Sequence, residues 1–465
     1  MEKLASFYTK LKFNDLNEEV INSAKRCTLD LLGVAIGGSN LPSSKKVVNI
    51  VKSMGGKLES SVIANDLKVP SPNAALANGV MAHGLELDDV DNESSTHPGA
   101  VIIPTALAVA EKVEASGKEF ILAITSGYDL MLRIGAALIP SAHYARGFHP
   151  TATCGAFGAA LTASILMGLD TNEVMNALGI AGSQASGLME FLSDGSWTKR
   201  LHPGWAAHSG IIASLLAKEG FTGPKTILEG KHGFIKAHTD HYDMNKLIEG
   251  LGERFLINEV SIKPHACCRY IQPAIDAVLK IVKENEINPK DIDEVIIGTV
   301  KTALPIVVEP IELKYKPRNI VDAQFSMPFS ISVAILKGRA FINEYTEEMI
   351  KNDEVLNIAK KVKVINDPEL DKLFPKKWQA KAKIKLKNGK IYESHVEAPK
   401  GDPENPLTDK ELEDKFRILV QGKLLEDKIN EAIKMIHKLD KLSNIKEFVH
   451  LFTIEEGKNR YIYVL

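Results

Sequence analysis

The chain has 465 residues, 45% of them hydrophobic and 25% charged, which is enough for two or three globular domains. A net charge of −2 and a pI near 6.7 provide no basic field for nucleic acid. The N-terminus carries no signal-like apolar core and no run of about eighteen apolar residues occurs, which speaks against secretion or a membrane partner and predicts a cytoplasmic protein. In chain order, residues 1 to about 257 read as nearly all helical. Asn17 can cap a helix through Val20, Ala24, Leu31 and Leu32 that stops at Gly37-Gly38, and Ser71-Pro72 starts another through Val80 and His83. Further helices are predicted over 119–138, 151–167, 172–181, 204–218 and 224–229, and their alanines and glycines imply closely packed backbones.

After residue 257 the period changes. Glu259–Lys263, Ile292–Lys301 and Lys360–Ile365 read as strands. Ala380, Ala382, Ile384 and Leu386 alternate with lysines and turn at Asn388-Gly389 into Ile391-Tyr392, which predicts a hairpin with a solvated lysine face. Helices over 269–286 and 321–337 interleave with these strands, and helix resumes from Thr408 through 425–438 and 444–452. The fold predicted is mainly α: a large helical bundle (1–257 and 401–465) carrying an inserted, smaller α+β lid (258–400).

Ten of the thirteen histidines lie between His83 and His265. Three precede prolines that lead into apolar, Ala/Gly-rich stretches: His97-Pro98, His149-Pro150 and His202-Pro203, where chance would give about 0.6. Proline favours the first helical position, and a helix start offers free N–H groups and partial positive charge, so imidazoles there can act on a bound anion. Pro104 would kink a helix begun at Pro98, which moves that helix start toward Pro104.

Between His83 and His97 lie Glu86, Asp88, Asp89, Asp91 and Glu93. Crowded carboxylates raise one another's pKa values and flanking imidazolium lowers them, a coupling that suits acid/base work and equally describes a solvated acidic loop. Gly195–Trp205 sets Lys199, Arg200 and His202 between two tryptophans, where a lysine can bind a carboxylate or shed its proton, or merely form a salt bridge. Ile262–Tyr270 brings Lys263, Cys268 and Arg269 to the junction of the two parts, where ligand sites favour interfaces. The four cysteines, Cys27, Cys154, Cys267 and Cys268, contain no C-x-x-C pair, so zinc-ribbon and iron–sulfur spacings are missing.

Seven segments in order resemble one known family: Ala75–Ala110, Gly147–Gly158, Gly195–Gly210, Gly220–Gly233, Ile262–Ala277, Asp322–Pro328 (D-A-Q-F-S-M-P) and Pro403–Phe416. They are similar to the MmgE/PrpD family over nearly the whole chain. The resemblance implies a homodimer whose active site lies between a helical domain and a lid, a small polycarboxylate substrate, and no metal or organic cofactor. Activities known in the family are 2-methylcitrate dehydration, cis-aconitate decarboxylation and iminodisuccinate epimerisation. By matched position His97, His149, Lys199 and Lys263 are expected at the catalytic centre with Asp88, and Tyr315 on a substrate carboxylate. His83, Arg200, His202, Cys268 and Arg269 complete the expected substrate-binding set.

Two departures matter. Cys268 stands where the decarboxylase pattern has a histidine, and Glu86-Leu87-Asp88-Asp89-Val90 lacks the family's aspartate-aromatic-aspartate and following threonine. The leading expectation is a lyase that removes a proton α to a carboxylate and expels water. Epimerisation of an iminodisuccinate-like dicarboxylate and a non-catalytic carboxylate-binding homologue are the alternatives. A metal-dependent hydrolase built on His83 and Asp88-Asp89 would lack an H-D dipeptide or H-E-x-x-H motif.

Overall fold

Helical periodicity organises the first half of the chain into α1 (Glu2–Lys10), α2 (Glu18–Gly38), α3 (Pro42–Met54), α4 (Ser71–His83), α5 (Gly99–Val113), α6 (Gly117–Ala137), α7 (Pro140–Ala145), α8 (Pro150–Leu166), α9 (Thr171–Gln184) and α10 (Thr198–Lys218). The computed structural model describes residues 1–453, and the remainder of the 401–465 segment lies outside the described residues. Asn17 caps α2 as expected, its Oδ1 accepting from the Val20 N–H at 2.9 Å. Helix α6 is long and apolar enough to cross a membrane, but 89% of its apolar window is buried inside the protein.

The close approach of α4 and α10 depends on glycine. A Cβ at Gly79 would stand 2.7 Å from the Gly204 Cα, and one at Gly204 would stand 2.3 Å from the Leu76 carbonyl oxygen. Only two hydrogens at this crossing let the helix bearing Lys199 lie against the helix bearing His83.

The second half holds a four-stranded sheet, β5 (Ile292–Thr299), β6 (Val362–Asn366), β7 (Ala380–Leu386) and β8 (Ile391–Val396), in the order β6-β5-β7-β8. β5 runs parallel to β6 and antiparallel to β7, which forms a hairpin with β8. Ala380, Ala382, Ile384 and Leu386 are buried. Lys381, Lys383 and Lys385 form ion pairs with Asp367, Glu393 and Asp293 on the opposite, solvated face. Helices α11 (Gln272–Glu284) and α12 (Met327–Lys337) share the core of this unit. Helices α13 (Asp409–Val420) and α14 (Glu426–His437) bury Leu412, Phe416, Ile429 and Ile433 in the first core with α2. Two short antiparallel ladders complete the strands: β1 (Ser60–Ser61) with β2 (Lys68–Val69), and β3 (Val90–Asp91) with β4 (Val260–Ser261). The second ladder joins the acidic segment to the strand leading into the α+β unit.

Several elements depart from the sequence reading. No helix forms over 224–229, where 225–229 are turns, because four glycines between 220 and 233 weaken helix and Gly223 packs where a Cβ would stand 2.3 Å from the Asn176 carbonyl oxygen. The strand expected over Glu259–Lys263 shortens to two residues, since the Ile262 N–H donates to the Gly401 carbonyl instead. The helix expected over 321–337 breaks at Ser326, whose Oγ accepts from the Phe329 N–H and starts a new helix. Helix α10 begins six residues before the predicted start, enclosing Pro203, and α5 begins at Gly99 and continues through Pro104. Each proline removes one early hydrogen bond, its φ suits the helix, and burial holds both helices together.

Candidate active site

Four imidazoles from four helices meet between the two cores. His83 ends α4, His97 precedes α5, His149 is the N-cap of α8, and His202 lies in the first turns of α10. The His83 ring centroid is 4.9 Å from that of His97 and 6.1 Å from that of His149. His149 and His202 approach Nδ1 to Nδ1 at 3.0 Å, so one ring donates the single proton between them and the other accepts it.

Asp88 orients two of the rings. Its Oδ2 lies 2.7 Å from His83 Nδ1 and 3.5 Å from His97 Nδ1. His97 Nδ1 is also 2.8 Å from the Asp89 carbonyl oxygen, which can only accept, so the neutral ring carries its proton there and leaves Nε2 as a base. All four imidazoles are held neutral. Burial pushes His83, His97 and His149 well below the ordinary histidine range, and nearby lysine charge adds to this. Burial and then Lys199 bring His202 down to about 4.

Cations approach from both sides. Lys199 Nζ donates to Glu86 Oε1 at 2.5 Å and lies 5.1 Å from the Phe325 ring centroid. Burial, the largest influence, would raise the Glu86 pKa, but Lys199, His83 and Lys263 together outweigh it and keep the carboxylate ionised, below its ordinary value. Lys263 Nζ donates to the Glu86 carbonyl at 2.6 Å and stands 3.7 Å from Asp88 Oδ1. Arg269 Nε donates to Asn92 Oδ1 at 2.9 Å, its Nη2 pairs with Asp402, and its guanidinium lies over Trp378. Glu86 itself has φ +55°, a left-handed conformation rare for a side chain of its kind and concentrated at functional sites.

A cavity of about 40 Å³ lies among these groups, with His97, His149, Lys199, Cys268, Arg269 and Glu86 on its wall. His83, Asp88, Lys263 and His202 stand one layer behind, touching those groups. Two expected members lie elsewhere. Arg200 is the helical neighbour of Lys199, about 100° around α10, and its Nη1 donates to Ser43 Oγ on α3. Tyr315 ends a short helix, Ile311–Tyr315, and its hydroxyl donates to the Val362 carbonyl of β6 at 3.1 Å. Burial raises the Cys268 thiol pKa, so it faces the cavity uncharged.

Residues not singled out by sequence also build the site. Glu86 was visible only as one of five crowded carboxylates. Lys415 on α13 donates to the Leu87 and Lys263 carbonyls at 3.0 and 2.8 Å and pairs with Asp30 at 2.6 Å, fixing the backbone beside Asp88. Gln324, inside the D-A-Q-F-S segment, donates to the Leu85 carbonyl at 2.9 Å. His83, Asp88 and His97 offer ligand atoms within 4.8 Å of one another, a set that could hold a divalent ion, and the Lys263 ammonium already lies beside this carboxylate.

The family model for the MmgE/PrpD N-terminal domain matches residues 2–247, and that for the MmgE/PrpD C-terminal domain matches residues 265–441. The chain belongs to the MmgE/PrpD family. Within the MmgE/PrpD family it is 27% identical to a cis-aconitate decarboxylase of Aspergillus terreus, covering 97% of this chain and 95% of the relative. It is 25% identical to the cis-aconitate decarboxylase-like protein oryM of Aspergillus oryzae, covering 97% of each chain. The 2-methylcitrate dehydratase of Salmonella typhimurium is 22% identical over 75% of this chain and 74% of its own. The named MmgE/PrpD relatives are thus lyases of two kinds, losing carbon dioxide or water.

Proposed function

We propose that this protein is a lyase that takes a proton from the carbon α to a carboxylate of a small di- or tricarboxylate and expels water from the neighbouring carbon, as a 2-methylcitrate dehydratase does. The observation that carries this reading is the pair of neutral imidazoles, His97 and His149, sharing one cavity wall with the cations Lys199 and Arg269. Neutral His97 Nε2 has the lone pair that proton abstraction needs. As the C–H electrons form the new double bond, charge builds on the carboxylate, where Lys199 and Arg269 offset it. The C–O bond then breaks and the hydroxide leaves as water with the proton that His97 had taken, which returns that ring to neutrality. Asp88 steadies the imidazolium through the His83 and His97 rings.

A second reading is epimerisation, supported by two separate imidazoles on one cavity, His97 to take the α-proton and the His149–His202 pair to relay a solvent proton to the opposite face. The test is a panel of citrate, 2-methylcitrate, iminodisuccinate and cis-aconitate in heavy water, followed by nuclear magnetic resonance. An alkene product with loss of water supports the dehydratase, and inversion with deuterium at the α-carbon supports the epimerase. Release of carbon dioxide would replace both readings by decarboxylation. Ligand-induced stabilisation without any exchange or turnover would leave a binding homologue. A homodimer belongs to the same proposal, supported by an exposed apolar stripe on α10 at Trp197, Leu201 and Trp205, and light scattering at one chain mass would remove it.

A further inference from the structure

Glu86 presents a problem that its partners leave half solved. Oε1 accepts from Lys199, but Oε2 is buried and has no hydrogen-bond partner among the described residues. The residue is 3% exposed and forms part of the cavity wall. Its backbone is pinned by Lys263 on its carbonyl and held at a left-handed φ, so the carboxylate is aimed by the fold. An ionised oxygen kept from water is costly until a donor reaches it.

A substrate carboxylate cannot meet that need, because two anionic oxygens repel. A hydroxyl, amine or imine N–H can. On the reading that the cavity takes a small polycarboxylate, we propose that Glu86 Oε2 accepts a hydrogen bond from a substrate O–H or N–H and so selects hydroxy- or amino-type polycarboxylates over those with no donor. Lys199 then serves two anions, binding Oε1 and holding Glu86 in place while a substrate carboxylate shares its charge. The ionised state fits, since against the cost of burial Lys199, His83 and Lys263 together hold the Glu86 pKa below its ordinary value. Glu86 becomes a specificity-determining residue, distinct from the imidazoles that move the proton.

The test is a matched pair of ligands of similar charge, citrate and its deoxy analogue tricarballylate, titrated calorimetrically into the full-length protein. Citrate is expected to bind about tenfold or more tightly, the range for a hydrogen bond to a charged acceptor. Glu86→Gln should shrink that ratio to about threefold or less while the protein remains folded by circular dichroism. Equal binding of the two ligands to the wild-type chain overturns the inference and leaves the polycarboxylate reading standing. Binding of neither ligand overturns that reading. A preference for citrate that survives in Glu86→Gln removes Glu86 from the role, and the wild-type comparison decides the donor requirement even if the variant does not fold.

Discussion

At the scale of single residues, the proposed chemistry depends on imidazoles being neutral when their surroundings are strongly charged. Burial disfavours imidazolium, and Lys199 and Lys263 add repulsion, so His97 and His149 take up a proton only well below the ordinary histidine range. A base that is lost by protonation gives an acid limb at its own pKa, so kcat/KM should hold its plateau through the ordinary histidine value of 6.5 and fall only well below it. A pH–rate profile that is half lost near 6.5 would show ordinary, solvated histidines. The sequence made much of this visible. His-Pro pairs mark His97 and His149 because proline favours a helix start, and both do stand there. His202 joins the cluster for another reason, since Pro203 sits inside α10. Arg200 and Tyr315 were placed by neighbourhood and by matched position, and neither carries information about direction around a helix. Glu86 was hidden because its partner is 113 residues away, a distance that no local pattern spans.

At the scale of elements, the site rests on one helix crossing. Glycines at 79 and 204 let α4 and α10 touch, placing His83 and Lys199 on the same cluster. Gly204→Ala would drive its methyl to 2.3 Å from the Leu76 carbonyl oxygen, so the helices must part. The expected loss is about 1–3 kcal/mol in urea denaturation, together with a fall in activity as Lys199 and His202 shift. Unchanged stability would mean that the two helices do not depend on this close contact. Amphipathic periodicity revealed the long helices and the β7–β8 hairpin, whose buried alanines and exposed lysines alternate strictly. It missed the turns at 225–229 and the break at Ser326, where glycine content and side-chain capping override apolar spacing.

At the scale of the whole molecule, the C-terminal helices hold the backbone of the candidate site from outside. Lys415 is buried with Asp30, and burial pushes the Asp30 carboxyl up and the Lys415 ammonium down in pKa, so each depends on the other to stay charged. Lys415→Met should cost about 3–5 kcal/mol, because it leaves Asp30 alone in the interior. Adding Asp30→Asn should recover part of that stability but not turnover, since the Leu87 and Lys263 carbonyls would still lack their ammonium donor. Full activity in the double variant would reduce Lys415 to a bystander. The chain leaves the helical body at Ile262 and returns at Gly401, where the Ile262 N–H meets the Gly401 carbonyl at 2.9 Å, so departure and return share a single doorway. Exchanging the intervening stretch for that of a relative, Cys268 and Arg269 included, is therefore expected to leave the four imidazoles in place, and a chimera that fails to fold would refute this.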